Sequence, residues 1–145
     1  MGHTYTSTLF HIVFSTKVRR PAIAEPPKLW AYLAGVARNL QYGALAIGGT
    51  ENHVHVLLVL PGHVSVAEAV QKLKSNSSRW LGERGTWAGW QEGYGAFSVS
   101  ASNVDAVRLY IQNQPEHHRR RSFEDEFLAL LTKSGVAFQR PEVFV

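Results

Sequence analysis

Gly48-Gly49-Thr50-Glu51-Asn52-His53-Val54-His55-Val56-Leu57-Leu58-Val59-Leu60 is the stretch whose reading decides the fold. The run from 53 to 60 reads as a buried strand, and the Gly-Gly segment ahead of it reads as a turn. Residues two apart on a strand share a face, so His53 and His55 project together while Val54 points the other way. Two neutral imidazoles on one face can hold one divalent ion. The paired glycines leave room for another group to approach closely.

Working outward, Leu9 to Ser15 is a second apolar strand, and Pro21, Pro26 and Pro27 punctuate the loop after it. Trp30, Leu33, Val36, Ala37 and Leu40 fall at helical spacing over 28–41, with Gly43 as a stop signal. Ala44 to Ile47 is a short strand leading into Gly48-Gly49. Ser65 with Glu68 forms a capping box opening a helix whose inner stripe is Val66, Ala69, Val70, Leu73, Ser77, Trp80 and Leu81. After a Gly- and Trp-rich loop, Ala96 to Ser100 alternates as a half-buried strand. A helix capped at Ser102 or Asn103 runs through Tyr110 towards Gln114, where Pro115 should end or kink it. A last amphipathic helix follows Ser122, with Phe123, Phe127, Leu128 and Leu131 as its apolar face. This order predicts an α+β fold: a ferredoxin-like or RRM-like βαββαβ sandwich with an antiparallel sheet and additional C-terminal helices.

With 145 residues and no dividing linker or repeat, residues 1–145 read as one domain. No apolar run approaches a bilayer span, so no membrane partner is expected, and no signal peptide is visible. The absence of cysteine excludes thiolate metal sites and cysteine nucleophiles, and it fits a cytoplasmic protein. The net charge is only +4, but the cations cluster. Lys17, Arg19 and Arg20 form one group, Lys72, Lys74 and Arg79 a second, and Arg119, Arg120 and Arg121 a third. Arginine suits bidentate phosphate contacts, so a polyanion is the expected partner and these nine residues are candidate DNA contacts.

Ligand chemistry alone suggests zinc for a histidine pair. With no thiolate and no obvious third carboxylate, the site would be open. Tyr110 and Gln114 stand one helical turn apart and share a face. A phenol titrates near 10 in its free state, so attack on a phosphodiester by Tyr110 would need a cation nearby. His11 reads as a satisfied sheet histidine. His117 and His118 read as facing phosphate or solvent. Trp87 and Trp90 could stack on unpaired bases, although packing is the role expected of most of the four tryptophans.

Three motifs in order now carry a resemblance: Phe10-His11-Ile12-Val13-Phe14-Ser15-Thr16-Lys17 with Arg19-Arg20-Pro21, then Gly48-Gly49-x-x-Asn52-His53-Val54-His55, then Tyr110-Ile111-Gln112-Asn113-Gln114 with His117-His118. Together they resemble the small HUH-superfamily single-tyrosine transposases of the IS200-like type, over about residues 8–135. The resemblance implies that His53, His55 and Gln114 hold Mg²⁺ or Mn²⁺ rather than zinc. It implies that Tyr110 is the nucleophile forming a 5′-phosphotyrosine link. The implied substrate is single-stranded DNA folded as a hairpin, cut and rejoined without ATP in a bacterial or archaeal cytoplasm. It further implies a homodimer whose active sites are shared between subunits, with Val107 and Ile111 as exposed apolar residues for the partner to cover. Many relatives carry Asp where this chain has Asn52, which puts outer-shell carboxylate support of His53 in question. Two other readings stay open: a domesticated relative that processes chromosomal palindromic repeats, and a non-catalytic single-stranded nucleic-acid-binding module on an RRM-like sheet. Against the latter, no RNP-type aromatic pattern occupies the presumed central strand.

Overall fold

The computed structural model describes residues 2–145. Four strands, β1 (Leu9–Ser15), β2 (Gly43–Thr50), β3 (His53–Val59) and β4 (Gly95–Ser98), form one antiparallel sheet in the order β2-β3-β1-β4. Helices α1 (Pro26–Asn39) and α2 (Val66–Arg84) supply the βαββαβ crossovers. The expected α+β sandwich is therefore the observed one. Ser65 caps α2 by accepting the Glu68 amide at 3.1 Å, as the capping box requires.

Strand periodicity divides the sheet into two faces. Ile12, Phe14, Val54, Val56 and Leu58 point to one side and pack against Leu29, Leu33 and Ala37 of α1 and Ala69, Val70 and Leu73 of α2. His11, Val13, His53, His55 and Leu57 point to the other side. That side is covered by α3 (Val104–Gln112), α4 (Gln114–His117) and α5 (Phe123–Lys133). Because both faces are covered, β3 reads as an unbroken apolar run rather than an alternation.

Several boundaries differ from the sequence reading for identifiable reasons. The helix expected over 28–41 starts two residues earlier, since Pro26 and Pro27 fit a first turn, and ends at Asn39. Gln41, not Gly43, takes the left-handed conformation (φ 62°) that stops it, and the Tyr42 amide closes onto the Ala37 carbonyl at 2.8 Å. Gly48 and Gly49 lie inside β2 instead of forming the turn, which falls on Glu51-Asn52. A Cβ at Gly48 would collide with the carbonyl oxygen of Ile111, so the glycine lets α3 lie directly on the sheet. The fourth strand begins at Gly95 and ends at Ser98, short of the expected Ser100. Pro115 does what its ring demands: α3 stops at Gln112, Asn113 breaks the helix, and Pro115 sits in the first turn of α4.

Candidate active site

His53 opens β3 and His55 follows one pleat later, both fully buried on the face beneath α3, α4 and α5. The break at Asn113 turns Gln114 inward, where it too is fully buried. Its Oε1 lies 2.9 Å from His53 Nε2 and 2.8 Å from His118 Nε2. Its Nε2 donates to Glu126 Oε2 at 2.8 Å, which fixes which way the amide points. Tyr110, at the last turn of α3, donates its hydroxyl to the same carboxylate oxygen. The other oxygen, Glu126 Oε1, lies 3.0 Å from His55 Nε2 and 3.2 Å from His118 Nε2. Tyr110 thus meets the histidine pair of its own chain.

Outer partners set the ring tautomers. Asn52 Nδ2 donates to the Arg19 carbonyl at 3.4 Å, so Asn52 Oδ1 faces His53 and accepts its Nδ1–H at 2.7 Å. The amide at Asn52 thus does the orienting work for which a carboxylate was in question, and it leaves His53 Nε2 with a free lone pair. His118 Nδ1 donates to the Arg121 carbonyl at 2.7 Å, which aims its Nε2 at the cluster. His11 Nε2 and His55 Nδ1 share one proton at 2.8 Å; with it on His11, His55 Nε2–H donates to Glu126 Oε1 at 3.0 Å, and with it on His55, that nitrogen offers a lone pair. His11 is therefore a satisfied sheet histidine, and the residue it satisfies is a site histidine.

Electrostatics follow from burial and the single carboxylate. Burial, reinforced by the neighbouring His55, pushes His53 down to about 3, and the same two causes push His11 to about 3. Both rings therefore stay neutral with lone pairs available. Burial opposes charge on His118, but its hydrogen bond to Glu126 prevails and raises it above the ordinary histidine value. Burial alone would raise the Glu126 carboxyl; hydrogen bonds from His118 and His55 hold it well below the usual carboxylate range. Burial and then the bond to Glu126 raise the Tyr110 phenol above its ordinary value, so it is protonated at neutral pH.

The donor set fits a divalent ion. His53, His55, His118 and Glu126 each offer an atom within 4.8 Å of the others, and Gln114 Oε1 lies among them. Three imidazole nitrogens, an amide oxygen and a carboxylate oxygen converge, and with the His53 Nδ1–H on Asn52, His53 Nε2 and Gln114 Oε1 face each other at 2.9 Å as two acceptors. A cation between those two atoms would satisfy both. These residues would hold a divalent ion through mixed nitrogen and oxygen donors.

Two members of this cluster were not legible as such in the sequence. His118 was assigned to phosphate or solvent, but it faces inward because α4 is one turn long and returns its end to β3. Glu126 was hidden among Glu124-Asp125-Glu126, which resembles ordinary acidic decoration of a helix N-terminus. The available signal was its place on the apolar stripe between Phe123 and Phe127, where an exposed carboxylate would not be written.

The basic clusters separate. α4 and the turn after it divide two clefts, one of about 530 Å³ lined in part by Trp30, Asn52, His118, Arg119 and Arg121, the other lined by Asn113, Glu116, His117, Arg120 and Arg121. Lys17 and Arg20 are exposed at the end of β1. Arg19 is committed internally: it donates to the Phe144 carbonyl at 3.1 Å, lies over that ring and approaches Glu124 at 3.9 Å. Lys74 is likewise occupied, donating to the carbonyls of Gln91 at 2.8 Å and Gly93 at 2.6 Å. Lys72 and Arg79 are exposed, but α2 lies across the sheet from the histidines. Trp90 is buried against Phe14 and donates to Ser77 Oγ at 3.0 Å, and Trp87 packs on it, so both serve the core rather than an open stacking surface. Ile111 is fully buried against Ala46 and Leu57 and Val107 packs in the same cluster, which corrects their reading as exposed; Leu109, 59% exposed, is the outward apolar residue of α3.

No helix among the described residues is long and apolar enough to cross a membrane. Comparison with known proteins agrees with the fold. A candidate transposase of Deinococcus radiodurans R1 shares the fold at a TM-score of 0.62 and 23% identity, covering 79% of this chain and 96% of its own. The REP-associated tyrosine transposase, solved bound to a REP hairpin, superposes at a TM-score of 0.61 and 17% identity, covering 81% of this chain and 74% of its own. No curated protein gives a match. The sequence itself matches the family described as "Transposase IS200 like" over residues 4–114, and on that ground the chain belongs to the IS200-like transposase family.

Proposed function

We propose that this transposase cuts and rejoins single-stranded DNA at hairpin-marked ends through a 5′-phosphotyrosine link at Tyr110, with a divalent ion, Mn²⁺ or Mg²⁺, held by His53, His55 and Gln114. The observation that carries the reading is the placement of the Tyr110 hydroxyl on the buried polar cluster formed by the histidine pair and Gln114. When bound, the ion supplies Lewis-acid polarisation of the scissile phosphate and lowers the cost of a phenolate beside it. Tyr110 gives up its phenol proton and bonds to phosphorus while the bond to the 3′ oxygen breaks, and that oxygen takes up a proton to leave as a 3′ hydroxyl. Joining is the reverse attack by another 3′ hydroxyl, and the phosphodiester energy is conserved in the tyrosine ester, so no ATP is required.

Arg119 lines the first cleft, Arg120 the second and Arg121 both, and the three would bind the phosphates of the cut strand, with Lys17 and Arg20 extending the path. Lys72 and Arg79 would meet DNA only away from the cut, because the sheet separates them from the site; Arg19 and Lys74 would contribute field rather than direct contact. Two DNA ends must be held for transposition, which favours a homodimer in a bacterial or archaeal cytoplasm. The REP hairpin in the second structural neighbour favours a variant of the same chemistry, in which the protein acts on chromosomal palindromic repeats.

The test is a denaturing gel with end-labelled hairpin oligonucleotides. The wild-type protein with Mn²⁺ should give a covalent adduct that EDTA abolishes and restored metal brings back. Tyr110→Phe should bind the oligonucleotide and give none. An adduct surviving in that variant moves the nucleophile elsewhere.

A further inference from the structure

We propose that Glu126 is an additional ligand of the ion and, at the same time, the group that ties the ion to the nucleophile: Oε1 on the metal side, Oε2 on the Tyr110 hydroxyl. The inference rests on the ion-binding reading above and assigns a residue outside its His53, His55 and Gln114 set.

The two oxygens of this carboxylate face different chemistry. Oε1 sits among ring nitrogens, 3.0 Å from His55 Nε2, 3.2 Å from His118 Nε2 and 3.7 Å from His53 Nε2. Oε2 accepts from Tyr110 and from Gln114 Nε2, the latter at 2.8 Å, with His117 Nε2 3.4 Å away. Glu126 is 1% exposed and is the only carboxylate in the cluster. Its sequence neighbours are placed otherwise: Glu124 leans towards Arg19, and Asp125 is exposed.

A buried carboxylate is costly unless charge is brought to it, and its close ion-pair partners here are ring nitrogens rather than lysine or arginine. A divalent ion on the Oε1 side provides that charge and satisfies the facing lone pairs at once. Gln114 repeats the same division, with its oxygen towards the imidazoles and its nitrogen on Oε2. Two side chains from separate helices therefore present oxygen to the ion and hold each other in register. Because Oε2 keeps Tyr110 on its side of the carboxylate, loading the ion on Oε1 sets the phenol beside the metal without moving α3. A purely structural alternative is an ion pair between Glu126 and protonated His118, and it makes a different forecast for metal binding.

The experiment measures Mn²⁺ binding by calorimetry without DNA, on wild type, Glu126→Gln and His118→Gln, with adduct formation measured at both limiting and saturating Mn²⁺. Glu126→Gln should weaken Mn²⁺ binding by about tenfold or more, and its adduct rate should stay low even when the site is saturated, since the Tyr110 anchor is also altered. His118→Gln should weaken binding but recover its rate at saturation. Wild type that binds no Mn²⁺ would defeat the metal reading itself. Wild type that binds, with Glu126→Gln binding within twofold of it, overturns this inference alone. Full recovery of Glu126→Gln at saturating Mn²⁺ overturns the link to Tyr110. Should Glu126→Gln unfold in a thermal melt, Glu126→Asp decides: a carboxylate one methylene short must lose both affinity and saturated rate, and unchanged values in both refute the assignment.

Discussion

Gln114 Nε2 donates to Glu126 Oε2 at 2.8 Å, and this one bond fixes the side of the amide that the histidines meet. Without it, the amide could present its nitrogen to His53, where a donor cannot ligate a cation. Gln114→Ala should therefore lower Mn²⁺ affinity by about 10–100-fold and lower the adduct rate with it. Calorimetry and the denaturing gel check the two effects separately. Unchanged affinity would remove Gln114 from the ligand set.

Asn52 gives a second, opposed pair of outcomes. Its Oδ1 accepts His53 Nδ1–H at 2.7 Å, so Asn52→Ala leaves that N–H only the more distant Thr50 Oγ1, 3.1 Å away, and frees the ring to change tautomer. Mn²⁺ affinity should drop by about 10–100-fold. Asn52→Asp keeps the acceptor, adds charge and makes the imidazole a better donor, so its affinity should equal or exceed that of wild type. If both variants bind alike, the amide does not orient the ligand.

Gly48 tests how the tyrosine helix is seated. A Cβ there would collide with the Ile111 carbonyl, one residue from Tyr110, and backbone cannot rotate away as a side-chain tip can. Gly48→Ala should destabilise the fold by about 1–3 kcal/mol, as overpacking does. At a temperature where the variant remains folded, its adduct rate should still fall, because α3 must shift. A melt that drops while the folded protein keeps its full rate would uncouple the contact from the site.

Much of this arrangement could be read in advance, and the rest could not, for physical reasons. The element order and the histidine face followed from period-two spacing, which one strand expresses by itself. The break before Gln114 followed from proline's covalent geometry. Glu126 and His118 were missed because their meaning depends on where α4 and α5 pack, not on local pattern. An acidic triplet at a helix start and a basic run after it each have an adequate surface explanation. The same limit applied to Ile111: a short helix does not announce which side a sheet will cover.

Charge placement predicts unequal salt effects. Arg121 lines both clefts, whereas Arg79 is across the sheet. With a short oligonucleotide spanning only the cut strand, Arg121→Ala should reduce the slope of log K against log salt by about 1, the loss of one phosphate contact. Arg79→Ala should leave that slope as it was. Equal slopes for both would mean that the DNA path does not follow the two clefts.

Subunit exchange is the last question the geometry speaks to. The expectation of shared sites rests on the family resemblance and on joints that bracket the Tyr110 helix, with Val107 and Ile111 as residues for a partner to cover; Ile111 is instead fully buried against its own sheet, where Gly48 of β2 admits it. Tyr110 bonds to Glu126 of the same chain, and Glu126 meets that chain's His55. Moving α3 to a partner would have to break this apolar contact and the Tyr110–Glu126 bond in each chain before remaking them on the partner, with the break at Asn113 and the turn at Ala101–Asn103 as joints. A homodimer should therefore keep each site within one chain. Mixing His53→Ala/His55→Ala subunits with Tyr110→Phe subunits tests this. With sites built in cis, one chain lacks the ion's ligands and the other lacks the nucleophile, so verified heterodimers should give no adduct. Labelled DNA on the histidine-mutant chain would show instead that its tyrosine helix serves the partner's histidines.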